Sequence, residues 1–322
     1  MSDGAGAHLL IPLASCDAEG CIAARRHLAW PHLEKLLARL APASGGDDDG
    51  GANTLSMPHE RALARAWGLH APDGGIPWAA WQLAQAGRDP QGAAWAWITP
   101  CHWRVGRDHI AMDAPQQLAL DERDSQALLA AMRPYFEEDG IALEYEAPTR
   151  WLARGEVFRG LASASLDRVV GRIIDDWLPR SQQARTLRRL QQEMQMLLYT
   201  HPINEERLAR GLPPVNSFWV SGTGALPASP STAQPPPGLQ VAHELHNPAL
   251  QQDWAGWASA WQQIDAQQCA RLLESLDQGE AVALTLCGER QARTWHGRGA
   301  GLLPRLAAAL RGKQAAAVLD TL

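Results

Sequence analysis

Residues 199–224 read YTHPINEERLARGLPPVNSFWVSGTG, and this stretch says more about the fold than any other part of the chain. The segment before it carries leucines and a methionine at helical spacing, which predicts a helix that ends close to His201. Val215 to Val220 then predicts a strand that runs into a turn at Ser221-Gly222-Thr223-Gly224. The backbone N–H groups of such a turn can face an anion, so we expect a small-ligand site near it.

This stretch resembles a signature of the archaeal-type cofactor-independent phosphoglycerate mutases, which reads H-P-V-N-x-x-R-x-x-x-G-x-x-P-A-N-x-x-W-x-x-G-x-G. The matching residues keep the same order and the same gaps, and they are His201, Pro202, Asn204, Arg207, Gly211, Pro214, Asn216, Trp219, Gly222 and Gly224. Residues 216–224 also look like the corresponding part of the bacterial RpfE-type regulatory proteins. The resemblance is tight over 199–224 and loose over most of the chain.

The resemblance implies an α/β fold, with a three-layer core like that of the alkaline phosphatases and an α+β insertion. We expect residues 1–92 and 225–322 to form the core, and residues 93–224 to form the substrate-cap-like insertion that ends in the glycine turn. The periodicity predicts hairpin strands from Ala94, a helix capped by Asp121 and a helix from Ser165 through Trp177. A proline-rich linker at 225–238 and a last helix near 302–310 complete the prediction.

In the mutases, the resemblance further implies, two divalent metal ions and a serine transfer the phosphoryl group. The metal-ligand positions of the family differ in this chain. Glu289 and Arg290 stand near the positions where the family has an aspartate and a histidine after the last strand, and an arginine has no lone pair to donate to a metal ion. After the first strand, Asp17 is the nearest acid. We therefore predict that the protein has no metal site, and we name no catalytic residue. The alternative is that two manganese or zinc ions bind to a rearranged set of ligands, which are Asp17, Asp108, His109, His243 and Glu289.

Two further groups of residues that contain histidine are candidate metal sites. The segment His243-Glu244-Leu245-His246 has a metal-like composition but not the family's Asp-x-x-x-His spacing. His102 and the Asp108-His109 pair face each other across the predicted hairpin, where hydrogen-bonded surface histidines are the common alternative.

Arg150 is the strongest predicted anion ligand, because a guanidinium presents a planar fork of donors that fits a phosphate or carboxylate. Its segment, APTRWLA, resembles the mutases' G-V-S-Y-R-H-L-L, with Trp151 in place of the histidine. A surface arginine paired with a nearby acid is the structural alternative, and a helix cap is the alternative for Asn204. The predicted ligand-binding residues are Arg150, His201, Asn204, Arg207, Asn216, Trp219, Gly222 and Gly224.

Composition narrows the classes of function. The 29 basic and 35 acidic residues leave a net charge of −6, which disfavours a nucleic-acid partner. No apolar run is long enough to cross a membrane, and five scattered cysteines favour a reduced, cytoplasmic protein. Lys35 and Lys313 are the only lysines, and neither lies in a phosphate-binding P-loop. Most of the 14 tryptophans have the spacing of core residues.

These observations lead to one hypothesis and two alternatives. The first is a catalytically degenerate mutase-like protein with a regulatory role that binds a small phosphorylated or carboxylated ligand. The second is an active metal-dependent phosphoglycerate mutase or phosphatase with rearranged ligands. The third is a protein–protein adaptor, which would need an exposed apolar patch around Trp254.

Overall fold

The computed structural model describes residues 6–43, 48–51, 53–227, 236–299 and 314–322. Its contacts divide the chain into two compact units. The first unit comprises the described residues of Met1–Asn53, Met57–Leu69 and Thr232–Leu322, and the second those of Thr54–Ser56 and His70–Ser231. The predicted last helix at 302–310 and most of the predicted linker lie outside the described residues.

The first unit contains a six-stranded sheet in the order β10-β1-β11-β12-β2, with β3 paired to β12. β1 is parallel to both β10 and β11, whereas β12 returns antiparallel to β11. The carboxyl ends of three parallel strands therefore meet at one edge of the sheet. The strands are β1 (Ala7–Ile11), β2 (Ala41–Pro42), β3 (Asp48–Asp49), β10 (Leu239–Val241), β11 (Ala281–Cys287) and β12 (Gln291–Arg298).

Both faces of this sheet are covered by helices, because its central strands carry apolar side chains on both sides. Leu9 and Leu284 belong to a core that includes side chains of α2, α10 and α11, whereas Leu10 packs with Ala62 of α3 on the opposite face. The predicted three-layer α/β arrangement is confirmed for this unit. The helices are α1 (Glu19–Arg25), α2 (Pro31–Arg39), α3 (Pro58–Ala66), α9 (His246–Leu250), α10 (Trp254–Ile264), α11 (Ala270–Asp277) and α12 (Ala315–Leu319).

The second unit is built on an antiparallel sheet in the order β7-β8-β4-β9, with a separate β5–β6 hairpin. Ala96 and Ile98 of β4 face a core that includes side chains of α5 (Glu122–Glu138) and α7 (Arg185–Tyr199). α4 packs against β4 and β9, so the contacts group it with this unit, whereas the predicted boundary at residue 93 separated it from those strands. The strands are β4 (Trp95–Cys101), β5 (Trp103–Val105), β6 (Ile110–Met112), β7 (Ala142–Ala147), β8 (Arg150–Arg154) and β9 (Ser217–Gly224).

Side-chain caps are present at the start of two helices in the second unit, α5 and α8. Asp121 caps its helix as predicted, accepting a hydrogen bond from Asp124 N at 2.8 Å. The predicted helix from Ser165 through Trp177 is wrong beyond residue 169, because Val170 and Ile173 form bridges to β6. The helices are α4 (Trp78–Gln85), α5 (Glu122–Glu138), α6 (Leu166–Val169), α7 (Arg185–Tyr199) and α8 (Pro202–Ala209).

The tryptophans near Trp254 belong to the core of the first unit. Trp257 and Trp261 are fully buried, and their indole N–H groups donate to Leu13 O and Ala14 O, both at 3.0 Å. Trp254 packs against the same core. The exposed patch that an adaptor would need is therefore not formed by these three side chains. Within the described part of the chain, no helix has the length and apolar character required to cross a bilayer.

Candidate functional site

The signature residues lie in the second unit, where His201 and Asn204 organise the start of α8. His201 Nδ1 accepts a hydrogen bond from Ile203 N at 3.3 Å as the helix cap. Asn204 is buried, donates to Leu198 O at 2.8 Å and to Val215 O at 2.7 Å, and accepts from Val215 N at 2.9 Å. Its amide therefore joins the end of α7 to the segment before β9, rather than capping α8.

Arg207 lies at the centre of a buried polar cluster. Its guanidinium has no exposure, pairs with the equally buried Asp124 at 3.2 Å and donates to the main-chain oxygen of Pro213 at 3.1 Å. A further bond goes to Leu118 O, and Arg210 binds the same Asp124 carboxylate from the surface side. These contacts give Arg207 a structural role; its role in ligand binding stays a prediction.

The side chains of Asn216 and Trp219 each form hydrogen bonds with the main chain of another segment. Asn216 pairs with both main-chain groups of Trp103, accepting from its N at 2.7 Å and donating to its O at 2.9 Å, in the manner of an added strand residue. The Trp219 ring is buried, and its Nε1 donates to Ala164 O at 3.0 Å. These two residues of the signature therefore form hydrogen bonds within the protein.

The predicted glycine turn is part of a strand. β9 continues through Gly224, which pairs with Trp95 of β4, so the backbone here takes part in the sheet. Gly222 has φ of +63°, and a Cβ at this position would lie 2.8 Å from Trp97 Cε3. The glycine is needed for close packing against Trp97 and a left-handed conformation. The predicted turn is wrong, since these residues belong to β9; a ligand-binding role for Gly222 and Gly224 stays a prediction.

Arg150 lies at the start of β8, in the hairpin with β7. It forms a two-point ion pair with Glu146, with Nε–Oε2 at 3.0 Å and Nη2–Oε1 at 3.2 Å, and its guanidinium stands 5.5 Å from the Trp97 ring centroid. Gln82 Nε2 donates to the same carboxylate at 2.9 Å. Arg150 is thus paired with a nearby acid, which was the alternative to anion binding. However, 41% of its side chain remains exposed and accessible to an anion.

Asp17, Glu289 and Arg290, predicted to stand near the positions of the family's metal ligands, follow β1 and β11 in the first unit. Arg290 pairs with Asp17 at 2.6 Å, and Glu289 Oε2 accepts a hydrogen bond from Asp17 N at 3.0 Å. A guanidinium offers no lone pair and already neutralises the nearest carboxylate. The donors at these two strand ends do not fit a pair of divalent ions, which would need several carboxylate and imidazole ligands.

Three histidines gather elsewhere in the first unit. A ring nitrogen of His59, at the start of α3, and one of His246, at the start of α9, lie within 4.8 Å of each other, and the rings are nearly perpendicular. The pKa of His243 is lowered by burial and by the charges of His246 and His59, against the influence of Glu244. The sequence offered no signal for His59, because only the packing of α3 brings it to the 243–246 loop.

The other predicted histidine group has ordinary partners. His102 Nδ1 donates to Pro214 O at 2.8 Å. His109 Nδ1 lies 3.0 Å from Asp108 Oδ1 in an exposed pair. Both geometries are those of hydrogen-bonded structural histidines, and a metal role for Asp108 and His109 stays a prediction.

Comparison with known proteins gives a local similarity in sequence. No protein-family model matches the chain. A 62-residue segment is 37% identical to the 2,3-bisphosphoglycerate-independent phosphoglycerate mutase of Methanothrix thermoacetophila, covering 19% of this chain and 16% of that protein. The match therefore spans under a fifth of this curated relative's length.

Two solved structures are similar over a longer range but at low identity. The cofactor-independent phosphoglycerate mutase from Thermoplasma acidophilum matches over 98% of this chain and 99% of its own, with 13% identity and a TM-score of 0.37. The PH0037 protein from Pyrococcus horikoshii matches over 91% and 87%, respectively, with 14% identity and a TM-score of 0.46. Neither likeness bears on the chemistry of the site.

Proposed function

We propose that this protein is a catalytically degenerate relative of the cofactor-independent phosphoglycerate mutases, with an alkaline-phosphatase-like core. In this proposal it has a regulatory role in the cytoplasm and binds a small phosphorylated or carboxylated ligand. The supporting observation is the Asp17–Arg290 ion pair at the carboxyl ends of β1 and β11. An arginine supplies a fixed positive charge there, but it cannot activate a nucleophile as a bound cation does.

Arg150 is the proposed contact for the ligand anion. Its guanidinium is partly exposed, is stacked near Trp97 and already binds a carboxylate in the two-point geometry that a phosphate would use. A ligand would compete with Glu146 for the same donors. Among the eight predicted residues, Arg207 and Asn204 have their polar groups committed to buried partners, so Arg150 is the better position to test.

The test combines turnover with binding. We expect no conversion of 3-phosphoglycerate by the full chain supplied with manganese or zinc, and no phosphatase activity, but measurable binding of 3-phosphoglycerate by calorimetry. Arg150→Gln should weaken that binding at least about tenfold, since it removes a charge-assisted contact. Arg154→Gln, on the exposed end of the same strand, should leave binding unchanged.

Each other outcome decides against part of the proposal. Turnover with a stoichiometric divalent ion would establish the alternative, an active mutase or phosphatase with rearranged ligands such as Asp17, His243 and Glu289. Binding that is unaffected by Arg150→Gln would remove Arg150 as the anion contact. No binding of 3-phosphoglycerate, 2-phosphoglycerate or inorganic phosphate would overturn the small-anion role and leave a protein partner as the regulatory candidate.

A further inference from the structure

Residues 314–322 of the first unit contact the carboxyl end of β11. Leu322 O accepts hydrogen bonds from the main-chain N–H groups of Arg290 and Gln291, at 3.3 and 3.2 Å, beside the turn between β11 and β12. A Cβ on Gly288, the residue that follows β11, would collide with the same oxygen. Open α/β sheets commonly bind ligands at the carboxyl ends of their parallel strands. The segment therefore covers part of the edge at which such a sheet would hold a ligand.

Arg25, in the last turn of α1, is a buried cation beside the same segment. Only 9% of its side chain is exposed. Its Nη2 donates to Asp320 Oδ1 at 2.6 Å, and its Nη1 donates to Leu319 O at 3.3 Å and to the hydroxyl oxygen of Ser15. The Asp320 side chain, in contrast, is 62% exposed. A buried guanidinium is thus neutralised by a carboxylate that lies at the surface.

Residues 320–322 present oxygen atoms to hydrogen-bond donors of the rest of the unit. The oxygens are those of the Asp320 carboxylate and the Leu322 main chain, and the donors are the Arg25 guanidinium and two successive main-chain N–H groups. Both kinds of donor bind oxyanions in proteins, the guanidinium by charge-assisted hydrogen bonds and successive N–H groups by their aligned dipoles. The two oxygens therefore stand where those of an anionic ligand would be accepted.

We propose that Arg25 and the main-chain N–H groups of Arg290 and Gln291 form a binding site for a small polycarboxylate, and that residues 320–322 occupy this site when no ligand is bound. Two residues span at most about 7 Å of extended chain, so one ligand with two or more carboxylates can replace both contacts of the segment. Because the ligand competes with residues 320–322, its apparent affinity is lowered by the fraction of molecules in which the segment is docked.

The movement that this exchange requires is small. Ala315 and Leu319 of α12 are fully buried in the core of the unit, so the helix stays in place and only the residues after it leave. The site does not rest on the proposed function, since it uses neither Arg150 nor any residue of the signature. The Arg290 side chain is also not required, because it is paired with Asp17.

Calorimetry of the full chain with citrate measures the binding. Arg25→Gln should weaken it at least about tenfold, because the variant lacks the charge-assisted contact. Asp320→Asn should strengthen it at least about threefold, because the competing side chain loses its charge. Acetate, which has a single carboxylate, should bind more weakly than citrate.

Hydrogen exchange separates a ligand site from an ion pair that is only structural. The amides of Asp320 and Thr321 donate to Ala316 O and Val318 O at 2.9 and 3.0 Å. Citrate should accelerate exchange of these two amides, because its binding displaces the residues that carry them. A citrate effect confined to other parts of the chain would contradict the proposal.

Two matched variants control for the changes of charge. Arg26→Gln alters an exposed arginine next to Arg25, and Asp277→Asn alters an exposed acid that pairs with Arg39 in the same unit; both should bind citrate as the unaltered chain does. Thermal unfolding shows whether Arg25→Gln keeps its fold. Arg25→Lys, which keeps the charge without the planar fork, is the second variant and should also bind more weakly.

Three results would overturn the proposal. The first is no citrate binding by either the unaltered chain or Asp320→Asn, and the second is equal affinity in the unaltered chain and both Arg25 variants. The third is citrate binding that is lost in Arg150→Gln but kept in Arg25→Gln, which would assign the ligand to Arg150 and support the proposed function instead.

Discussion

Arg207 and Asp124 form an ion pair in which neither side chain has any exposure to solvent. The pair joins α8 to the first turn of α5, and the main-chain oxygens of Leu118 and Pro213 accept hydrogen bonds from the guanidinium Nε and Nη2. A buried charge is tolerated when it is paired and hydrogen-bonded, because an isolated one is expensive to remove from water. The arginine of the signature is thus central to the stability of the second unit.

Replacing Arg207 by leucine should destabilise the protein by about 3–5 kcal/mol, because Asp124 would keep a buried charge without its main partner. Urea unfolding measures the change. Arg210→Gln removes only the partly exposed partner of the same carboxylate and should cost much less. Losses of similar size in the two variants would contradict a buried, charge-dependent role.

Replacing Gly222 by alanine should cost more than the same change at Gly211. Both residues have a positive φ, of +63° and +74° respectively, for which a side chain pays about 1–2 kcal/mol. At Gly222 the new Cβ would also meet the Trp97 ring and lie 3.3 Å from Ala79 N, and such overpacking adds about 1–3 kcal/mol. Nothing lies within 4 Å of a Cβ at Gly211. Equal unfolding free energies for the two variants would refute this account.

Asn204→Ala should be more destabilising than Asn216→Ala. The first change leaves Leu198 O and both main-chain groups of Val215 without their side-chain partner in a buried place, at about 1–3 kcal/mol for each group left unsatisfied. The second exposes the main chain of Trp103 at a half-buried position, where water can replace the lost bonds. Denaturant unfolding of both variants provides the comparison, and the reverse order would show that the interpretation is mistaken.

His8 should make the protein less stable as the pH falls from about 6.5 to 4. Burial, and next the charge of His296, lower its pKa from 6.5 to about 4, and its Nε2 is hydrogen-bonded to Thr285 Oγ1 at 2.8 Å. In this window the unfolded chain binds the proton and the folded chain does not, so up to about 3 kcal/mol of stability is lost with acidification. His8→Gln should flatten the dependence of the unfolding free energy on pH relative to His27→Gln. An unchanged slope would exclude His8 as the titrating group.

Local signals account for the elements that were predicted correctly. The prolines at the start of α2 and α3 and the Asp121 cap of α5 act within a few residues. The segment after Val169 differs, because pairing with β6 outweighs its helical periodicity. The predicted glycine turn also differs from the structure. Gly222 and Gly224 allow β9 to pack closely against its neighbours, and the sequence alone does not distinguish such glycines from those of a loop.

The sequence by itself determined the α/β class, the resemblance of residues 199–224 to a mutase signature and the presence of an arginine, Arg290, soon after the last parallel strand, since these depend on residue identity and short-range order. Only the tertiary structure decided that Arg207 and Asn204 are satisfied inside the second unit and that His59 meets His246. Such pairings depend on how separate helices and strands pack. The sequence alone does not show whether an arginine or a histidine contacts a ligand or another part of the chain.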